Sequence, residues 1–154
     1  MLTGREHEIL QLVAHGWRTR AIALQLGIAE VTVITFIRTA RVKLGARNRV
    51  HAAALAVDPP VENRLSAPTL GQEQRKLLTL LASGSTVEEA ARVLHLSRRT
   101  AQRRLADIRR RLGAPTTAAA VASSVRLGYA EPELARGSPD AVGVRGEEPD
   151  RERG

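Results

Sequence analysis

Residues 2–16, LTGREHEILQLVAHG, return in degenerate form as residues 70–84, LGQEQRKLLTLLASG, and the same shift of 68 continues without a gap. It pairs Leu10 with Leu78, Gly16 with Gly84, Ala23 with Ala91, Thr32 with Thr100, Arg41 with Arg109, and Leu44-Gly45-Ala46 with Leu112-Gly113-Ala114. Fifteen of the 56 positions from 2 to 57 are identical. Most of the others that matter exchange one apolar residue for another, so what is duplicated is a core. The chain of 154 residues therefore reads as two small units, 1–57 and 70–130, joined by a linker, 58–69. In that linker Pro59, Pro60 and Pro68 interrupt helix and favour extended backbone. Residues 131–154 have almost no apolar periodicity and much Pro, Gly and charge, a composition that predicts disorder.

Each unit carries the pattern of four short helices and no strand. In the first, Thr3-Gly4-Arg5-Glu6 has the form of a capping box, Ile9, Leu10, Leu12 and Val13 make an apolar face, and Gly16 ends the helix. A short second helix turns Ile22, Ala23 and Leu26 inward and ends at Gly27. The third spans about 30–44 with Val33, Ile37, Ala40 and Leu44 as its buried stripe and Gly45 as a left-handed stop. An alanine-rich fourth helix starts on Asn48. The second unit repeats the plan, with Thr86-Val87-Glu88-Glu89 opening its second helix, Ser97 capping a third helix over 98–112, and Thr116 capping the last. Trp17 and Phe36 are expected to extend the small core.

The formal net charge is +8, and because the last 24 residues hold seven acids and four arginines, residues 1–130 carry +11. Such an excess points to polyanions. There is no cysteine, hence no disulfide framework or thiol chemistry, which fits a reducing cytoplasm. No apolar run reaches membrane-spanning length, and no membrane partner is expected. His7, His15, His51 and His95 lack carboxylate or cysteine companions at ligand spacing, and no phosphate loop or nucleophile motif occurs. No cofactor, metal or enzymatic activity is expected.

Two helices separated by a tight glycine-bearing turn, the second more basic than the first, are the layout that places a recognition helix in the major groove of duplex DNA. Removing the buried stripe leaves Val31, Ile34, Thr35, Arg38 and Arg41 outward in the first unit. In the second it leaves Arg99, Gln102, Arg103, Ala106 and Arg110, flanked by Arg98, Arg104, Arg109 and Arg111. Arginine pairs bidentately with guanine and glutamine with adenine, so Gln102 and Arg103 are the candidate base readers. The other arginines are candidates for phosphate contacts, which position without reading sequence. The full candidate DNA-binding set is Arg20, Thr32, Ile34, Thr35, Arg38, Arg41 and Lys43 in the first unit, and Arg98, Arg99, Thr100, Gln102, Arg103, Arg104, Arg109 and Arg110 in the second.

Leu2-Thr3, Arg5-Glu6, Leu10, Gly16, Ile22-Ala23, Thr32-Val33, Lys43-Leu44-Gly45 and Arg49 resemble the LuxR/GerE type of helix-turn-helix DNA-binding domain. Its pattern opens with LT-x-RE and closes its recognition helix on KLG. The resemblance covers residues 2 to about 56 and, more weakly, 70 to about 128. The second copy also has some likeness to the promoter-recognition domain of sigma factors. It implies an all-α chain of two tandem four-helix helix-turn-helix domains, of the winged-helix-like DNA-binding class without a wing. The implied function is that of a cytoplasmic, nucleoid-associated bacterial transcription regulator. The family's contact positions fall on Ile34, Thr35 and Arg38, then on Gln102, Arg103 and Ala106. Ile34 stands where the family usually has lysine, Phe36 where it has histidine, and Arg18 and Ala21 where a Ser and a Glu normally cap the second helix. The first unit thus keeps the scaffold with little polar reading chemistry, although Ile34 could touch thymine methyl groups.

A rival reading makes the chain an adaptor or antagonist, its first unit's apolar face packing on another regulator or on RNA polymerase. The resemblance also implies pairing through fourth helices. The small faces Ala52, Ala53 and Ala56, and Ala119, Ala120 and Ser123, suit either a homodimer or an intramolecular pseudo-dimer. The latter is favoured because the linker holds the second unit at an effective concentration of about millimolar. An extended linker reaches roughly 40 Å, enough for recognition helices one turn of DNA, about 34 Å, apart.

Overall fold

The computed structural model describes residues 1–57 and 68–132; most of the expected linker and nearly all of the expected tail lie outside them. The described residues form eight α-helices and no strand. They are α1 (Gly4–Ala14), α2 (Thr19–Leu26), α3 (Glu30–Leu44), α4 (Arg49–Leu55), α5 (Gln72–Ala82), α6 (Val87–Val93), α7 (Arg98–Leu112) and α8 (Thr117–Arg126). Four helices fall in each repeat, as the periodicity predicts.

Local chemistry explains where the helices begin and end. Thr3 Oγ1 accepts the Glu6 amide at 3.1 Å while Glu6 Oε2 accepts the Thr3 amide at 2.8 Å; Thr86 and Glu89 repeat this box at the start of α6. Asn48, Ser97 and Thr116 each cap their helix through a side-chain oxygen. The starts of α2 and α3, at Arg18 and Ala29, have no side-chain cap, although their counterparts Thr86 and Ser97 do. A cap is worth about 1 kcal/mol, so the helix-turn-helix of the second repeat is the better secured locally. The two long third helices end alike, on left-handed Gly45 (φ +66) and Gly113 (φ +64).

The hydrophobic clusters do not respect the repeat boundary. Ile9, Val13, Ile22, Val33 and Ile37 form a first-repeat core that also takes in Ala118 and Ala122 from α8. Leu77, Leu78, Leu81, Leu105, Ile108 and Val121 form a second-repeat core that takes in Ala54 from α4. Ala54 and Ala122 are equivalent under the 68-residue shift, so each repeat lends the other the same residue. This is the reciprocity of a two-fold interface, here within one chain. Glycine completes it. Gly16 (φ +94) lies so close to Pro115 and Ala119 that a Cβ would collide with the proline ring. Gly84 (φ +100) lies equally close to Arg47 and His51, the positions 68 residues earlier.

Helices α4 and α8 pack along each other at the centre, with α1 against α8 and α5 against α4. The crossing alanines differ in part from the small faces expected. Ala52 and Ala56 turn into their own repeat against Leu10, Ala40 and Leu44, whereas Ala54, Ala118 and Ala122 cross. Two polar contacts add to the interface: Asn48 Nδ2 donates to the Gly84 carbonyl at 2.9 Å, and Arg47 meets Glu89 at 3.3 Å.

Candidate nucleic-acid interface

In each repeat the third helix buries one stripe and exposes another. Val33, Ile37 and Ala40 are buried on α3, and Ala101, Leu105 and Ile108 on α7. The outward stripe of α3 is apolar: Val31 is 67 %, Ile34 45 % and Val42 77 % exposed. Thr35 is exposed, but its hydroxyl already donates to the Val31 carbonyl at 2.9 Å. Arg38 is the exposed charge at the middle of this face. Leu24 on α2 is likewise 77 % exposed.

The equivalent positions on α7 invert that chemistry. Val31, Ile34, Thr35, Arg38 and Val42 correspond to Arg99, Gln102, Arg103, Ala106 and Arg110, and Leu24 to Arg92. Arg99, Gln102 and Arg103 are exposed and form no ion pair or side-chain hydrogen bond among the described residues. Arg98 reaches Glu88 at 3.5 Å, and Arg110 reaches Asp107 at 3.0 Å, both in exposed pairs of little stabilising worth that a phosphate can displace. Arg104 is half-buried, as are Thr32 and Thr100; the Ser97 hydroxyl donates to Thr100 at 2.9 Å. Arg20 is exposed on α2.

Three candidates have partners of their own within the fold. Arg41 is half-buried, and its guanidinium donates to the Arg47 carbonyl at 2.9 Å. Its counterpart Arg109 donates to the carbonyls of Ala114 and Pro115. Both arginines brace the corner between third and fourth helices by donating to carbonyls of the connecting residues. Their shared place in the two repeats is structural, not part of the outward face. Lys43 is also occupied: its Nζ lies 3.0 Å from both carboxylate oxygens of buried Glu6. The Thr3 amide, followed by Lys43, holds the Glu6 carboxyl below the ordinary carboxylate range despite burial. Glu6 thus links the start of α1 to the end of α3.

Asp107, not singled out as a partner, tethers Arg110 and Arg111 at 3.0 and 3.2 Å; its i+3 and i+4 spacing is the signal that would have found it. Phe36 packs on the first core as expected, but Trp17 is 36 % exposed and lies outside the core clusters. Among the described residues no cluster of His, Asp or Glu suits a metal ion. No single described helix is long and apolar enough to cross a membrane.

Comparison with known proteins agrees with this geometry. Residues 1–56 match the family model of bacterial regulatory proteins of the luxR family, and residues 75–130 match that of the PucR C-terminal helix-turn-helix domain. The first repeat is therefore a LuxR-type helix-turn-helix unit, and the second is a helix-turn-helix unit whose matching model is a different one. Similar relatives include an uncharacterized transcriptional regulatory protein, YvfU, of Bacillus subtilis, 46 % identical over 55 residues, 36 % of this chain and 28 % of the relative. The probable transcriptional regulatory protein SgaR of Hyphomicrobium methylovorum is 43 % identical over 56 residues, 36 % of this chain and 26 % of the relative. The quorum sensing-dependent transcriptional regulator VjbR of Brucella abortus is 40 % identical over 57 residues, 37 % of this chain and 22 % of the relative. The chain thus spans about a quarter of the length of the curated relatives it matches. No solved structure gives a significant match.

Proposed function

We propose that the chain is a sequence-specific, non-enzymatic DNA-binding regulator of bacterial transcription, acting in the cytoplasm on duplex DNA through α3 and α7. The observation that carries this reading is the outward face of α7: Arg99, Gln102 and Arg103 stand exposed, and unpaired among the described residues, on the third helix of a helix-turn-helix. Arg99 and the displaceable Arg98 and Arg110 supply phosphate contacts, and Gln102 and Arg103 read base edges. On α3 the contacts come from Ile34, Thr35 and Arg38, with Arg20 and Thr32 at the backbone. The shared register, the exchanged Ala54 and Ala122 and the paired glycines support descent of both repeats from one duplicated unit, with boundaries near 57 and 70. They equally support one chain serving as the DNA-binding pair.

The reading is tested by titrating fluorescent duplex DNA at several salt concentrations. Affinity should fall steeply with salt, since each neutralised phosphate releases counterion, and Arg103→Glu should lower it about tenfold or more. Salt-insensitive or absent retention contradicts the reading. A second reading is favoured by one observation, the exposed Val31, Ile34 and Val42 on α3. In it the first repeat packs on a partner regulator or RNA polymerase while the second holds DNA. Loss of partner binding, but not of DNA binding, in Val42→Arg would support it.

A further inference from the structure

A cleft of about 510 Å³ opens where the α1–α2 corner of the first repeat meets the start of α8 in the second, within the range of about 300–1,000 Å³ typical of small-molecule sites. Its apolar lining comes from buried Val13 and Ala118 and half-buried Val50. Arg18, Arg20 and Arg49 also line the cleft, and no acidic residue does. None of the three arginines forms an ion pair among the described residues. Arg49 donates to Thr19 Oγ1 at 2.9 Å and to the Trp17 carbonyl at 3.2 Å, which engages two of its five N–H groups and fixes the plane of its fork. Trp17, one of the few large apolar side chains left partly exposed, also lines the cleft.

The chain supplies its own control. Under the 68-residue shift, Trp17, Arg18, Thr19, Arg20 and Arg49 correspond to Ser85, Thr86, Val87, Glu88 and Thr117. The second repeat forms the same α1–α2-type corner with neither the cations of Arg18 and Arg20 nor the indole in it. The fold does not need Arg18, Arg20 or an exposed tryptophan at such a corner. Assembling them has an electrostatic cost: burial first, and the charge of Arg18 second, push the Arg49 pKa down, a strain that a bound anion relieves.

We propose that this cleft binds a small aromatic carboxylate, its oxygens held by the forks of Arg18 and Arg49 and its ring laid between Trp17 and Val50. A guanidinium fork matches a carboxylate bidentately, and an aromatic ring adds stacking to apolar burial. A backbone phosphate of duplex DNA, presented on a convex rod, suits protruding side chains better than a recess with an apolar lining. Because the lining comes from both repeats, an occupant would tie the α1–α2 corner of one to α8 of the other. The cleft shares Arg20 with the proposed DNA-backbone contacts, but benzoate binding to it is read without DNA.

Trp17 is the only tryptophan of the chain, so selectively excited indole fluorescence reports on this cleft. Titration of the full chain with benzoate should give a saturable change with a midpoint at millimolar concentration or below, and inorganic phosphate should bind more weakly. The variant R18T/R20E, which installs the residues of the second repeat, should weaken benzoate at least tenfold with an unchanged circular dichroism spectrum. If that variant loses helix, Arg20→Glu alone, at an exposed position, should still weaken benzoate severalfold. No saturable response to benzoate, an equal response in the variants, or phosphate binding as tightly as benzoate overturns the proposal. A response to short duplex DNA alone, abolished by R18T/R20E, also overturns it by assigning the cations to backbone phosphate.

Discussion

Arg103 and Arg38 sit on matching halves of the molecule yet in unlike company, the first among exposed polar side chains and the second among exposed valines and an isoleucine. Charge reversal at Arg103 should therefore cost more DNA affinity than charge reversal at Arg38, measured on one duplex at one salt concentration; an equal or inverted loss removes the asymmetry. Gln102→Ala should relax preference at one base position by about 1–3 kcal/mol and leave the salt slope alone, whereas a uniform loss over all sequences marks Gln102 as a backbone contact. Glu6 gives a prediction for pH. Its folded pKa lies below the ordinary value of 4.5, so its stabilising contribution is complete above that value and is lost as pH falls through the lowered one. Glu6→Gln should flatten the acid limb of the stability curve in that window, seen as urea midpoints that change less with pH than those of the parent chain. His95, at φ +57 where the first repeat has Gly27, offers the opposite sign. A left-handed non-glycine residue costs about 1–2 kcal/mol, and His95→Gly should recover up to about 1 kcal/mol once glycine's extra chain entropy is counted. A lower thermal midpoint in the variant would contradict this.

At the scale of helices, the boundaries were legible because they rest on local chemistry: Thr3 with Glu6, Thr86 with Glu89, and the left-handed stops Gly45 and Gly113 all act within a few residues. The roles of Arg41 and Arg109 were not legible. Helical periodicity gives the angle at which a side chain leaves its helix, but a long arginine can fold back along the surface and reach carbonyls at the next corner. Lys43 escaped for a related reason, since its partner Glu6 is distant in sequence and becomes a buried acceptor only when α1 and α3 meet. Trp17 was expected in the core on hydrophobicity alone, yet the corner it occupies faces a cleft. Gly84 is where the element scale meets the interface: a Cβ there would stand 2.7 Å from His51 Nδ1 and 2.9 Å from Arg47 Cδ, at φ +100. Gly84→Ala should cost about 1–3 kcal/mol in backbone strain, and more for the displaced neighbours; unfolding midpoints unchanged within error would contradict the close approach.

For the whole molecule, the two-fold relation rests on residues that trade places, Ala54 into the second core and Ala122 into the first. The sequence made α4 and α8 plausible partners, but any two such alanine-rich helices suit each other, so only the short linker, not the helices, favoured pairing within a chain. Within one chain, light scattering should return the monomer mass at micromolar concentration. Ala122→Glu should lower both stability and DNA affinity without changing that mass; a dimer that dissociates in the variant would mean that the pairing joins two chains. If α3 and α7 both engage one duplex, as proposed, their unlike outward residues should make the two half-sites unlike. The most direct measurement is selection of bound sequences from random duplex DNA with the full chain, followed by the stoichiometry of the selected complex. One chain per duplex on a non-palindromic site, with base preference strongest in one half and lost there in Gln102→Ala, is the result expected; no enrichment, or a palindrome occupied by two chains, would contradict the account.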